Sequence, residues 1–169
     1  MNEFIAISPY ELEGNPFRMI DKQWMLVTAG NEEKANTMTA SWGGLGILWN
    51  KPVSFVFIRP TRYTYEFTER EDTYSLCFFD ETYRPALNLC GTVSGRDRDK
   101  IAEAGLTLRY DADAPYFDEA QTVLVCRKLH YQDIDPAGFI DPAIDRHYNN
   151  DYHRVYVGQV LQVLTRKER

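Results

Sequence analysis

Asn36-Thr37-Met38-Thr39-Ala40-Ser41-Trp42-Gly43-Gly44-Leu45-Gly46 is the stretch on which the reading of this chain turns. Side chains alternate between the two faces of a strand. Thr37, Thr39 and Ser41 are therefore expected on one face, and Met38, Ala40 and Trp42 on the other. Small hydroxyls opposite a soft thioether and an indole suit a flat ligand with polar edges. The glycines that follow let backbone approach such a ligand closely. An ordinary strand feeding a Gly-rich turn gives the same pattern, so the rest of the chain has to decide.

The 169 residues suffice for one well-cored domain, expected to span 1–169. With 44% hydrophobic and 14% aromatic residues the chain has the composition of a folded protein. A net charge of −6 argues against a nucleic-acid module, so any anionic ligand must be met by a local island of cations. Met1 is followed by a polar, acidic start without the apolar core of a secretory signal, and no apolar run approaches the roughly 18 residues of a membrane span. Cys77, Cys90 and Cys126 are odd in number and lack Cys-x-x-Cys spacing, as expected of reduced thiols in a cytoplasmic protein.

The first twenty residues read as an extended lead-in. Strands are expected at 24–29, 37–42, 52–58, 73–79, 106–110, 121–134 and 152–164, the last bulged at Gly158. Helices are expected from an N-cap at Thr61 to about Arg70, from Asp80 to Gly91, and from Arg98 to Ala104. Trp24 and Trp49 are assigned to the core. Asp135 to Asn150 is a long polar loop with two prolines, a candidate lid or subunit contact. Many strands with a few short inserted helices describe a mainly β, barrel-type domain.

Two further clusters carry possible chemistry. Arg59-Pro60-Thr61-Arg62-Tyr63-Thr64 gathers two guanidinium groups, hydroxyls, a phenol and the free N–H groups of a helix start, which together suit a phosphate monoester. The competing reading is that Arg59 and Arg62 pair with Glu66 and Glu69 on the surface. Ser94-Gly95-Arg96, with Gly91 before it and Lys100 a turn later, offers a tight backbone and more donors. There the competing reading is that Asp97 caps a helix and the cations are solvated.

Sharper motifs fail. Gly43-Gly44-Leu45-Gly46 opens no helix, so it is no dinucleotide fingerprint. Gly91-x-x-Ser94-Gly95 is one residue out of step with a hydrolase elbow. His130, His147 and His153 lack metal-site spacing, so no metal is expected. His153 is read as a structural residue within reach of a ligand edge.

The order of these clusters, closed by Tyr-His-Arg-Val-Tyr-Val-Gly at 152–158, resembles the flavin reductase-like, FMN-binding split-barrel family, in particular its flavoredoxin-type branch. The resemblance spans about Ile20 to Val163. It implies a split β-barrel holding FMN non-covalently, as a homodimer with the flavin near the subunit interface. By the resemblance, Asn36, Thr37, Met38, Thr39, Ala40, Ser41 and Trp42 line the isoalloxazine. Arg59, Arg62, Tyr63 and Thr64 hold the phosphate, and Gly91, Ser94, Gly95 and Lys100 complete the pocket. Reductase members pass hydride from NADH or NADPH to flavin N5, with backbone N–H groups around Ser41 and Trp42, or Lys100, as donors to the reduced ring. No protein nucleophile is needed, which suits the absence of a triad. Other members carry electrons to a partner protein. A non-catalytic barrel for a flavin or pyridoxal phosphate is the remaining alternative.

Overall fold

From the N-terminus, the computed structural model describes residues 3–166. They form β1 (Phe4–Ile7), α1 (Pro16–Arg18), β2 (Met25–Gly30), β3 (Ala35–Ala40), β4 (Gly43–Leu48), β5 (Lys51–Ile58), α2 (Tyr63–Arg70) and β6 (Thr73–Phe78). Then follow α3 (Arg84–Thr92), α4 (Lys100–Glu103), β7 (Leu108–Arg109), β8 (Tyr116–Phe117), β9 (Thr122–Asp133) and β10 (Arg154–Arg166). Eight strands make one antiparallel sheet in the order β3-β2-β6-β9-β10-β5-β4, with β1 joined to β10. The strands at its two ends, β3 and β4, are consecutive in the chain and linked only by Ser41 and Trp42. The sheet therefore curls into a barrel left open along that seam, the split barrel that the family resemblance implies.

Composition explains which strands lie central. Leu76, Cys77 and Phe78 of β6, and Val123 through Cys126 of β9, are buried on both faces, which is why these runs show no polar alternation. Alternate residues enter two cores. Met25, Val27, Met38, Val56, Leu76, Leu124 and Tyr156 fill the barrel. Leu26, Cys77, Val123 and Val125 face outward under α3 and the 106–120 segment, with Leu87, Cys90, Tyr116 and Phe117. The three thiols are unpaired and buried, and burial pushes Cys77 up to about 11 and Cys126 up to about 12.

Several expectations need correction. The lead-in is extended at β1, which pairs with β10, but turns helical at Pro9–Glu11, Pro16–Arg18 and Met19–Gln23. The Gly43–Gly46 run is the edge strand β4, paired with β5 from Gly43↔Val56 to Leu48↔Lys51. Trp49 and Asn50 form its hairpin turn with φ of 50° and 56°, the geometry of a type I′ loop, and Trp49 is exposed. β3 ends at Ala40, so Ser41 and Trp42 occupy a corner. Arg62, not Thr61, is the N-cap of α2, and Asp99, not Asp97, caps α4 through the Ala102 N–H. Asp80–Gly91 splits into a 3-10 turn and α3, and 106–110 keeps only the two residues of β7. β10 begins at Arg154, leaving His153 just outside it.

The bulge at Gly158 lies where expected, with a register shift between Val157 and Gly158. Across it, the buried Tyr74 hydroxyl and Ser54 Oγ are 2.7 Å apart, and a Cβ on Gly158 would sit 2.1 Å from that hydroxyl. Gly158→Ala should therefore destabilise the protein by about 1–3 kcal/mol, the usual cost of overpacking, as a fall in urea midpoint without a change in slope.

Candidate functional site

The corner Ser41–Trp42 and the loop from β5 to α2 meet on one side of the open seam. A cleft of about 150 Å³ there is lined by Met38, Thr39, Ala40, Ser41, Trp42, Arg59 and Arg62, joined by Phe57 and His153. A hollow of about 530 Å³ on the far side of the corner shares Ser41, Trp42 and Phe57 with it. Asn36, Tyr63, Gly95 and Lys100 line a separate, larger cleft of about 580 Å³. Thr37, Thr64, Gly91 and Ser94 line none of the three.

The fold itself uses several of these groups. Thr37 is fully buried, its hydroxyl 2.9 Å from that of Thr28 and donating to the Val27 carbonyl. Thr39 donates to the Leu87 carbonyl of α3, and a Cβ on Gly91 would meet its side chain at 3.2 Å. Within β3 the expected alternation holds, with Met38 and Ala40 in the barrel core. It breaks at the corner, where Trp42 is 46% exposed. Buried Asn36 donates from Nδ2 to the Thr64 hydroxyl at 2.8 Å, tying β3 to α2. A Cβ on Gly95 would fall 2.1 Å from Asn36 Oδ1, so only glycine lets the 94–96 turn close on this joint. Ser94 Oγ accepts from the Arg96 N–H.

The cations have unexpected partners. Glu66 pairs with Arg96, and Glu69 with Arg154 at 3.1 Å, so neither acid neutralises Arg59 or Arg62. Arg59 pairs instead with Asp151 at 2.8 Å. The Arg62 guanidinium makes no hydrogen bond or ion pair with any described residue. It is half-buried, and burial first, then the nearby Arg59 charge, hold its pKa below the ordinary arginine value. Arg62 is also the N-cap of α2 and gives that helix no side-chain cap. A cation thus stands where an acceptor or an anion is favoured.

Lys100 is buried, donating to the carbonyls of Cys90 at 2.9 Å and Val93 at 3.0 Å, and burial lowers its pKa to about 8. The Arg62 charge lowers it further. Tyr63 lies between Lys34 and Arg96, 5.4 and 4.6 Å from its ring, and packs edge-on against Phe67. An unpaired guanidinium and an uncapped helix start can together take an anion, with the buried Lys100 ammonium adding positive field behind them. The neighbouring Met38, Ala40, Trp42 and Phe57 can take an apolar ring. Among the described residues no cluster of side chains fits a metal ion.

The sequence reading had no means of finding Phe57, Asp151 or the contacts of the 135–150 loop, which depend on pairings over 92 residues. That loop contains two 3-10 turns, and His147 and His153 pack on Trp42 at 5.5 and 5.4 Å.

Residues 17–169 match the flavin reductase like domain, and the chain belongs to that family. Its fold resembles an FMN-binding domain of a flavin reductases-like enzyme from Shewanella baltica, with TM-score 0.71 and 18% identity over 98% of this chain and 78% of that one. It also resembles the flavoredoxin of Desulfovibrio vulgaris (0.66; 22%; 85% and 69%) and a Streptomyces globisporus NADH:FAD oxidoreductase (0.63; 15%; 86% and 74%). None of the curated proteins compared with the chain matches it significantly. No helix among the described residues is long and apolar enough to cross a membrane.

His153 is buried beside Arg59, its Nδ1 2.7 Å from the Tyr148 hydroxyl, and desolvation first, then Arg59, lower its pKa from 6.5 to about 4. Between those values the unfolded chain binds the extra proton, so stability falls as the pH drops from 6.5 to 4. His153→Gln should flatten the pH dependence of unfolding free energy across that window by up to about one proton, read from urea titrations at successive pH values.

Proposed function

We propose that this chain holds FMN non-covalently and acts as an NAD(P)H-dependent flavin reductase. The observation that carries the reading is Arg62, a half-buried, unpaired guanidinium at the start of α2 in a protein of net charge −6. The names of two fold neighbours support the same direction, one an FMN-binding domain and one an NADH:FAD oxidoreductase.

Arg62, the first N–H groups of α2 and Arg59, once exchanged from Asp151, are assigned to the ligand's phosphate. Ser41, Trp42 and the small side chains of Thr39 and Ala40 are assigned to its ring. The 150 Å³ cleft is smaller than ligand pockets of ~300–1,000 Å³, so the ring must extend past the shared Ser41–Trp42 corner into the adjoining hollow. Bound flavin supplies the hydride and electron chemistry that no side chain here offers. The chain's own residues bind and orient it. Trp42, His147 and His153 exclude water from the cleft, and the backbone N–H groups at the corner stabilise negative charge on the ring's polar edge.

A second reading, an electron carrier serving a partner protein, is favoured by one feature. The rings of His147 and His153 already rest on Trp42, which restricts the approach of a nicotinamide.

As isolated, the protein should be yellow with an oxidised-flavin spectrum, and NADH or NADPH should bleach it anaerobically. Bleaching by dithionite alone would leave the carrier reading in place of the reductase. Loss of a charge-assisted bond worth about 1.5–3 kcal/mol should weaken FMN retention in Arg62→Ala by roughly one to two decades. Lys22→Ala, whose lysine pairs with Asp21 at the surface, serves as the control.

We further infer a homodimer with the flavin near its interface. Phe17, 84% exposed, borders the hollow that shares Ser41, Trp42 and Phe57 with the cleft, so a second copy covering Phe17 would close the site. Sedimentation velocity should give twice the chain mass, and Phe17→Glu should shift the protein toward monomer and weaken FMN binding together.

A further inference from the structure

Both ends of the Arg59 guanidinium are engaged by one segment. Nη1 donates to Asp151 Oδ2 and Nη2 to the His147 carbonyl, each at 2.8 Å, and the Tyr148 ring lies 5.1 Å away. All three partners belong to the stretch 135–152 between β9 and β10. The same stretch lays His147 edge-on against Trp42 and brings the Tyr148 hydroxyl to His153. Its two 3-10 turns contain no buried residue, and Ile140 at its apex is 99% exposed. Within it the rings of Phe139, Tyr148 and Tyr152 pack on one another, with centroids 6.2, 6.1 and 4.9 Å apart. Its hold on the barrel runs through Arg59, Trp42 and His153, across the cleft that Arg62 lines.

We propose that Asp151 is a specificity-determining residue that stands on Arg59 in place of a ligand's anionic group. The closed strap 135–152 and a phosphorylated ligand then compete for the same guanidinium. The inference rests on the FMN reading above. When a phosphate takes Arg59, the Asp151 carboxylate loses its cation and the strap loses its fastening to that guanidinium. A ligand without an anionic tail leaves the Arg59–Asp151 pair intact and the strap shut. Apparent affinity for the phosphorylated ligand is reduced by the fraction of protein held closed. Asp151 is suited to the exchange because its carboxylate also accepts from the Asn149 N–H at 2.7 Å, a bond that survives release from Arg59.

FMN and riboflavin titrations of the full-length protein freed of flavin, and of its Asp151→Asn variant, test the proposal by flavin fluorescence. Amide exchange over 142–150 is followed in parallel. The variant should bind FMN roughly ten-fold more tightly and riboflavin with unchanged affinity. FMN, but not riboflavin, should speed exchange over 142–150 in the unaltered protein, and the ligand-free variant should already exchange at that faster rate. Equal or weaker FMN binding by the variant, or a matching gain for riboflavin, overturns the exchange and leaves the cofactor reading standing. Failure of either protein to bind FMN overturns the cofactor reading itself, and the proposal with it.

Discussion

The site is placed by the sharing of β10 among three partners. One edge of this thirteen-residue strand runs along β9, while the other is divided between β5 at its start and β1 at its end. The register sets Arg154 opposite Ile58. Residues just before β10 are thereby brought against residues just after β5, which is why Asp151 and His153 meet Arg59 across a long separation in sequence. Antiparallel pairing is periodic, so shifting this register by one residue would turn Tyr156 and Val160 out of the core along with the site. The Gly158 bulge absorbs the extra residue and leaves the space that Tyr74 fills, so the barrel interior and the position of the strap share one constraint.

What was legible in the sequence follows from which interactions are local. β5, β6 and β9 could be read within a residue or two, β5 from its β-branched and aromatic run and β9 from its alternation. β4 could not, since its glycines have no intrinsic strand preference and its pairing with β5 is a tertiary event. The start of α2 was misplaced by one residue because Thr61 is the better cap by propensity, whereas the backbone turns at Arg62. In the site, the sequence identified the clusters and not their hydroxyl partners. Thr37, Thr39 and Thr64 spend their polar atoms on Thr28, Leu87 and Asn36, bonds that stitch β3 to β2, α3 and α2.

Those bonds give the site its stiffness. Asn36 is fixed by Thr64 on one side and crowded by the Gly95 backbone on the other, so β3, α2 and the 94–96 turn cannot move independently at this point. Lys100 extends the same joint, since its ammonium satisfies carbonyls at the end of α3. Polar groups that lock a scaffold in this way hold the remaining, unspent donors in position before any ligand arrives, which reduces the cost of binding.

Arg62 is the donor left unspent, and energetics make that significant. A charge partly withdrawn from water without a partner carries a cost, and folds ordinarily answer with a carboxylate or by exposing the group fully. Here Glu66 and Glu69 lie on the same helix, yet they are committed to Arg96 and Arg154. Asp151 reaches the neighbouring Arg59 and stops there. The positive end of α2 adds to the imbalance, as does the buried Lys100 ammonium. A surface rich in acids has been arranged so that none neutralises this one guanidinium. The residual field favours a mobile anion over any side chain of the protein.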